Sequence, residues 1–340
     1  MSRLMMGAAA LALMAGGASA QELQLYNWGN YTSPELLAKF EAETGIKVTV
    51  TDYDSNDTAL TKIEAGAHGF DMVVPSANYV PIFVAKGLLM EVDYSAMENF
   101  SNLDPRWVDV PWDQGRRYTI PWQWGTTGVA VNTSVYDGDP NTSDIWLNPP
   151  EALKGKINVV PEMNDVMALA ILYEGGQPCT TDRELLRRVR DRLMEAKQSW
   201  MSMDYGMTER LGAADVAASV NWNGSTFRAR LLNPDVVYGY PKEGYPLWMD
   251  SVGILSDARN VEEAKTFINF IMAPENAAMI SNFARYANGV TGSEAFMDDV
   301  MKEAPEIFPS PELAAAGVFL PTCPSEAVQF YTAIWTELQK

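Results

Sequence analysis

The sequence predicts an α/β protein of two lobes, each a mainly parallel sheet flanked by helices. The chain has 340 residues. About 320 would remain after removal of an N-terminal export signal, which is more than one hydrophobic core usually organises. Strand and helix patterns alternate through the first part of the chain, as is typical of parallel sheets. A second alternating block begins near residue 129. These observations together favour two α/β lobes.

The first twenty residues have the pattern of a bacterial-type secretory signal. Arg3 supplies a positive start, residues 4–14 are apolar, and Ala18-Ser19-Ala20 fits the small-x-small cleavage rule. No other run of about 18 apolar residues follows, so the sequence predicts no membrane span. We therefore expect an exported, soluble protein of the periplasm that begins at Gln21.

The first block of the mature chain predicts a β-α-β-α-β order. After a strand over 23–26, Ser33 is a predicted helix N-cap, Pro34 fits the first helical position, and Gly45 supplies the stop. The elements that follow are a strand over 47–51, a helix over 58–64 and a strand over 70–75. Ligands of parallel sheets bind at the carboxyl ends of strands, so we expect three loops to converge on one crevice: residues 27–31, 52–56 and 75–79.

The second block follows a passage rich in Trp, Pro and Gly over residues 121–128, which leads into an apolar strand over 129–131. Further strands are predicted over 157–160, 216–220, 236–238 and 251–255, and helices over 165–172, 182–200 and 261–272. We place the connections between the lobes near residues 125–130 and 246–252. The expected division is residues 21–128 plus 250–295 for lobe 1, and 129–249 plus 296–340 for lobe 2.

Composition narrows the classes of function. The chain carries 25 Lys and Arg against 44 Asp and Glu, a formal net charge of −19, and loss of Arg3 with the signal would make it −20. So acidic a protein is not expected to bind nucleic acid through phosphates, and it attracts cations. His68 is the only histidine, so we expect no metal site, no cofactor and no Ser/His nucleophile. Cys179 and Cys323 are the only cysteines, and sequence leaves open whether they pair.

Trp248 and Asp250 lie two residues apart, and in a strand both side chains would leave the same face. An indole face beside a carboxylate suits an organic cation, since it combines charge attraction with a cation–π contribution of roughly 0.5–2 kcal/mol. The alternative is a half-buried strand whose Trp packs in the core and whose Asp begins a turn. These two residues alone do not decide between packing and binding.

Eight short motifs, spread along the chain, match the sequence pattern of a known protein family. They are Tyr26-Asn27-Trp28, residues 45–48, Asp54-Ser55-Asn56, residues 69–76, Trp124-Gly125-Thr126-Thr127-Gly128, Trp222-Asn223-Gly224-Ser225, Pro241-Lys242-Glu243-Gly244 and Trp248-Met249-Asp250-Ser251. In this order they resemble the periplasmic spermidine/putrescine-binding proteins of ABC transporters, over about residues 22–290. The resemblance implies a two-lobe periplasmic binding protein fold of type II, not an enzyme. We expect a monomer that binds a polyamine in the cleft and delivers it to inner-membrane permease subunits.

The resemblance also implies a ligand-binding set. It comprises Trp28, Tyr31, Ser76, Glu162, Asp165, Trp222, Trp248, Asp250 and Tyr286. A linear diamine needs carboxylates at separated points, because burying an ammonium without a counter-charge costs several kcal/mol. Asp250 would hold one end of the ligand, and Glu162 with Asp165 the other. Trp222 and Trp248 would cover the spacer, and the hydroxyl groups of the set would accept the remaining hydrogen bonds.

Each position also has a purely structural interpretation. Glu162 and Asp165 precede a helix, where acids commonly complement the helix dipole. Trp28 could cover the core, Trp222 could anchor a turn, and Tyr286 could cap a helix end. Trp124 is a second candidate for an aromatic wall of the ligand site. The chain departs from relatives at Gly29, Asn30 and Asn78 and after about residue 295, which leaves ligand length open.

Three other functions stay open from sequence. The same fold could bind agmatine, cadaverine or an opine-like amine. The loaded protein could dock on a sensor instead of a permease. An exported, Trp-rich chain with paired acids could also be a glycoside hydrolase, although no acid pair can be placed at a hydrolase spacing.

Overall fold

The computed structural model describes residues 22–340. The predicted signal peptide over residues 1–20 lies outside them. The strands are β1 (Glu22–Trp28), β2 (Lys47–Tyr53), β3 (Met72–Val73), β4 (Asp109–Val110), β5 (Asp113–Gln114), β6 (Ile120–Asn132), β7 (Ile157–Val159), β8 (Trp200–Met203), β9 (Ala218–Trp222), β10 (Val236–Gly239), β11 (Tyr245–Ile254) and β12 (Gly317–Phe319).

The helices alternate with the strands, as predicted. They are α1 (Pro34–Thr44), α2 (Asn56–Glu64), α3 (Val80–Ala85), α4 (Asp144–Leu147), α5 (Met163–Tyr173), α6 (Arg183–Lys197), α7 (Met207–Gly212), α8 (Asn223–Leu232), α9 (Val261–Ile271), α10 (Pro274–Ala284), α11 (Asp299–Lys302), α12 (Pro311–Ala314) and α13 (Ser325–Leu338). Among residues 22–340, no helix is both long and apolar enough to cross a membrane.

Two strands join two parallel sheets into one path, in the order β2-β1-β3-β11-β6-β9-β7-β8. At one end β1 pairs in parallel with β2 and β3, and at the other β7 pairs in parallel with β8 and β9. Between them β11 and β6 run antiparallel to each other and to their outer neighbours. The two largest hydrophobic clusters lie at opposite ends of this path. The α/β prediction is therefore confirmed, and each half has its own core.

The predicted ends of α1 are confirmed in detail. The Ser33 hydroxyl accepts a hydrogen bond from the backbone N–H of Leu36, and Pro34 occupies the first turn. Gly45 ends the helix with φ of 74°, a left-handed conformation that glycine adopts without a steric penalty. The first α/β unit therefore forms where local sequence signals place it.

The strand predicted over residues 129–131 begins earlier, and the passage over residues 121–128 that precedes it in the prediction is part of the same strand. It belongs to β6, a strand of 13 residues that pairs with β11. Pro121 is accommodated where the register between the two strands shifts, between Asp250 and Ser251, since proline has no N–H for a regular ladder. Gly125 is required because the Trp248 ring lies against it: a Cβ there would come within 2.6 Å of the Trp248 Cζ2 atom.

Two other predicted elements differ in length. The helix predicted over 182–200 ends at Lys197, because Trp200 begins strand β8, which pairs with β7. The strand predicted over 70–75 is reduced to Met72–Val73. The predicted residue limits of the two lobes stay a prediction.

Cys179 and Cys323 form a disulfide, with their Cα atoms 5.0 Å apart. It joins the loop after α5 to the segment before α13, across 144 residues of sequence. Helix α13 packs on α5 and α6. A bond that closes so long a loop typically stabilises a protein by about 2–4 kcal/mol, so it fixes the C-terminal segment on this half of the molecule.

Candidate ligand-binding site

A cavity of about 550 Å³ lies between the two halves. Residues from all three predicted loops, 27–31, 52–56 and 75–79, line it, so their predicted convergence is confirmed. The opposite side is formed by the start of α5, the segment 205–209, the start of α8 and strand β11. All nine residues of the predicted set line this one cavity: Trp28, Tyr31, Ser76, Glu162, Asp165, Trp222, Trp248, Asp250 and Tyr286. The structure thus brings the whole set together, while the role of each residue in binding stays a prediction.

Asp250 is held in the cavity by two donated hydrogen bonds. Its Oδ2 atom accepts from the Tyr31 hydroxyl at 2.9 Å, and its Oδ1 atom accepts from the Ser76 hydroxyl at 2.6 Å. Asp250 is only 6% exposed. Burial raises its pKa to about 7, although these two hydrogen bonds act to lower it. The side chain is thus fixed in position and incompletely compensated in charge.

Asn56 orients the Ser76 hydroxyl that donates to Asp250. Its Nδ2 group donates to the Ser76 hydroxyl at 3.0 Å, and its Oδ1 atom accepts from the Ser76 backbone N–H at 3.0 Å. Because the Ser76 oxygen accepts one bond, its proton is directed to Asp250. A chain from Asn56 through Ser76 to Asp250 therefore fixes the carboxylate from the loop after β3.

Glu162 and Asp165 form a second acidic point at the start of α5. Asp165 accepts from the Thr127 hydroxyl at 2.7 Å and from the Trp222 indole N–H at 2.9 Å. Burial raises the pKa of Glu162 to about 8, with the Asp165 and Asp57 carboxylates adding to the effect. Burial also raises the pKa of Asp165. The Glu162 side chain makes no hydrogen bond that caps α5, and Asp165 lies in the first turn, where a carboxylate complements the helix dipole.

Aromatic rings connect the acidic points. The Trp248 ring meets Tyr286 edge-on with centroids 5.2 Å apart, and Tyr286 meets Tyr31 in the same way at 5.6 Å. The Tyr205 ring lies 6.0 Å from the Trp222 ring. These contacts fix the rings against one another and leave the cavity walled by apolar faces. Trp28 is positioned separately, since its indole N–H donates to the Val74 carbonyl oxygen at 3.1 Å.

Trp124, the second candidate for an aromatic wall, does not line the cavity. Its ring packs on Trp107, with centroids 5.6 Å apart, and its indole N–H donates to the Asn288 carbonyl oxygen at 3.0 Å. Trp124 therefore supports the fold. In β6 its side chain points to the face opposite the neighbouring Thr127, whose hydroxyl reaches Asp165 in the cavity.

The structure adds lining residues that the sequence did not predict. Tyr205 donates its hydroxyl proton to the Asp54 backbone oxygen, a contact between opposite sides of the cavity. Arg228 of α8 brings a positive charge to the lining. Other additions come from the loops already predicted to converge and had that signal: Asp52, Tyr53, Asp54, Asn56 and Asn78. Tyr205 and Arg228 had no comparable signal in the sequence.

This arrangement can bind an elongated cation by charge and stacking. Two acidic points, each reinforced by hydrogen bonds, are separated along one apolar-walled cavity. Within residues 22–340 we find no group of three or more His, Cys, Asp or Glu side chains arranged to hold a metal ion. A cleft of this kind between two α/β halves defines the class of extracellular solute receptors that capture small molecules.

Comparison with known proteins identifies the family within that class. The family model described as bacterial extracellular solute-binding protein matches residues 35–309, and the chain belongs to this family. The chain is 32% identical to the spermidine/putrescine-binding periplasmic protein of Escherichia coli strain K12, covering 93% of this chain and 92% of that protein. It is 29% identical to the putrescine-binding periplasmic protein SpuD of Pseudomonas aeruginosa, covering 98% and 95%.

A solved structure agrees with this assignment. The spermidine/putrescine ABC transporter substrate-binding protein PotD of Streptococcus pneumoniae superposes with a TM-score of 0.80 at 26% identity, covering 94% of this chain and 98% of that one. The predicted two-lobe fold of the periplasmic solute-binding proteins is therefore confirmed. The predicted resemblance to spermidine/putrescine-binding proteins is confirmed as well.

Proposed function

We propose that this protein is an exported receptor that binds a linear polyamine, putrescine or spermidine, and delivers it to an ABC permease in the inner membrane. The names of its relatives, which include periplasmic and ABC transporter proteins, support both the export of the protein and the delivery of its ligand to a permease. The receptor acts as a periplasmic monomer and binds its ligand without chemical change. Closure of the two lobes around the ligand would present the loaded form to the permease.

One observation carries the proposal: buried carboxylates lie at two separated points of one aromatic-walled cavity. Asp250 would receive one ammonium of the ligand, and Glu162 with Asp165 would receive the other. Trp222 and Trp248 would cover the methylene spacer between them. Burial raises the pKa of Asp250 and Glu162 because their ionised forms lack a positive partner, and a bound ammonium would supply that charge.

Calorimetric titration of the mature protein tests this function directly. We expect saturable binding of putrescine or spermidine and an increase in melting temperature on addition of the ligand. Agmatine and cadaverine belong in the same panel, because they share the terminal amine chemistry. Butane-1,4-diol, which has the length of putrescine without its charges, is the control and is expected not to bind. Absence of both heat and a thermal shift with every amine would contradict the proposal.

Gly125 offers a test of the Trp248 wall. In Gly125→Ala the new Cβ would lie 2.5 Å from the Asn223 Oδ1 atom and 2.6 Å from the Trp248 Cζ2 atom, so the ring has to move. We expect the affinity for putrescine to fall roughly tenfold or more, in line with overpacking costs of about 1–3 kcal/mol. Gly29→Ala is the control, because Gly29 also lines the cavity and its added Cβ meets only Asp52, at 3.8 Å. Equal affinities for the two variants would show that Trp248 is not part of the binding wall.

A further inference from the structure

Arg228 is an unexpected component of a cation-binding cavity. It lies on α8, half-buried, and lines the cavity together with six acidic residues. Among the described lining residues it is the only Lys or Arg. These acidic residues are Asp52, Asp54, Glu162, Asp165, Glu209 and Asp250. A positive charge at this place must affect which cations the cavity accepts.

The guanidinium of Arg228 is fixed by neutral acceptors. It donates to the Ala284 carbonyl oxygen at the end of α10 and to the Ser225 hydroxyl, the second at 3.0 Å. It also lies 5.8 Å from the centroid of the Tyr286 ring. Within the part of the chain that the structure describes, no carboxylate forms an ion pair with it. Its charge is therefore held in place without being neutralised by a neighbour.

Aromatic contacts give the position of Arg228 relative to Asp250. Tyr31 donates to Asp250, Tyr286 lies against Tyr31, and Arg228 lies over Tyr286. Two ring contacts therefore lead from Asp250 to Arg228, and the charges of both groups act on Tyr286. Glu162 and Asp165 lie on other elements, at the start of α5. Arg228 lines the same cavity as both acidic points.

Beside Glu162 the cavity is bordered by a second, very small void. Leu320 and Asn78 line both this cavity and a neighbouring void of only about 10 Å³, next to Asn164. Asn164 donates to the Glu162 carboxylate at 3.4 Å, which places Leu320 near Glu162. The Thr322 hydroxyl donates to the Asn78 carbonyl oxygen at 2.8 Å, and the disulfide anchors the adjoining Cys323. This anchored segment therefore borders the cavity on the Glu162 side.

We infer that Arg228 is a specificity-determining residue that restricts the cavity to linear amines with two cationic groups. This inference rests on the proposed polyamine function and selects the diamine within it. A diamine fits between Asp250 and the Glu162–Asp165 pair. A third ammonium would face the guanidinium of Arg228, and like charges placed close together in a desolvated site repel strongly.

Charge variants of Arg228 test this inference. We would measure dissociation constants for putrescine and spermidine with the wild type, Arg228→Gln and Arg228→Lys. Removal of the charge in Arg228→Gln is expected to lower the ratio of the spermidine constant to the putrescine constant roughly tenfold or more. Arg228→Lys keeps the charge and is expected to keep most of the wild-type ratio. Arg187→Gln, an exposed change on α6 away from the cavity, controls for net charge.

A purely structural role gives a different result. Arg228 could merely complement the end of α10, in which case Arg228→Gln would lower the melting temperature and leave the ratio unchanged. An unchanged ratio would overturn the inference while leaving the proposed function intact. Failure of the wild type to bind either amine would overturn both.

A second measurement needs no variant. N-butylputrescine matches spermidine in length but carries a methyl group in place of its third amine, so the wild type is expected to bind it roughly tenfold more tightly than spermidine. If spermidine binds as well or better, repulsion by Arg228 does not limit the ligand, and the inference is wrong.

Discussion

Asp250→Asn is expected to weaken putrescine binding by roughly 2–5 kcal/mol, as is typical when one partner of a buried, hydrogen-bonded charge pair is removed. The wild-type carboxylate is 6% exposed and already receives hydrogen bonds from Tyr31 and Ser76. A ligand ammonium would add the positive charge that these neutral donors cannot supply. Asparagine keeps the shape of the side chain and removes the charge. Its Oδ1 atom can still accept from the Ser76 hydroxyl, and its amide N–H group can donate to the Tyr31 hydroxyl oxygen, so the loss of affinity comes mainly from the missing charge.

Stability measurements separate this loss from misfolding. The free protein carries Asp250 as a buried acid whose pKa is raised to about 7 by burial, so its charge is a cost to folding at higher pH. The melting temperature of unliganded Asp250→Asn should therefore equal or exceed that of the wild type. Asp215→Asn, an exposed change outside the cavity, is the matched control. A loss of affinity below about 0.5 kcal/mol would place Asp250 at the periphery of the site.

The sequence predicted the part of the site that depends on strand geometry. Trp248 and Asp250 both line the cavity because β11 is regular up to Asp250 and alternate side chains share a face. The intervening Met249 is buried on the opposite face, where its sulfur contacts the Arg116 guanidinium. The three loops at strand ends converge for the same kind of reason, since the carboxyl ends of parallel strands meet at one edge.

Sequence could not predict features that depend on contacts between distant segments. Tyr205 follows β8, and the charged pattern of α6 obscured that strand, whose existence depends on pairing with β7. Arg228 lies in α8 of an acidic protein, where an arginine normally indicates a solvent-exposed face. The Cys179–Cys323 bond spans 144 residues, and only the packing of α13 on α5 and α6 explains why the two cysteines meet. Local sequence patterns hold no information about which distant segments of the chain come into contact.

The shifted carboxyl groups also predict how stability of the free protein depends on pH. The folded-state pKa of Glu162, about 8, lies above its ordinary value of 4.5. Between these values the folded protein holds a proton that the unfolded chain has lost. The stabilisation that this proton on Glu162 gives the folded state is therefore fully present below about pH 4.5 and is lost as the pH rises through about 8. We expect the melting temperature of the unliganded protein to fall across this range and Glu162→Gln to flatten the fall.

Ligand binding is expected to show the opposite dependence on pH. A diamine requires ionised carboxylates, and its own amines, with an ordinary pKa of about 10.4, stay charged below pH 9. At pH 6 both Glu162, with a pKa of about 8, and Asp250, with a pKa of about 7, are mainly protonated before the ligand binds. Binding must then release protons, so the affinity for putrescine should rise by roughly several hundredfold between pH 6 and pH 8.

Titrations at pH 6, 7 and 8 measure this rise, and titrations in phosphate and Tris, whose heats of ionisation differ, count the protons released. Glu162→Gln should lose far more affinity at pH 8 than at pH 6, because at pH 6 the wild-type side chain is already neutral before binding. The exposed variant Glu184→Gln on α6 controls for net charge and should follow the wild type at each pH. An affinity that is constant between pH 6 and 8, without proton release, would mean that neither Glu162 nor Asp250 changes its ionisation when the cation binds.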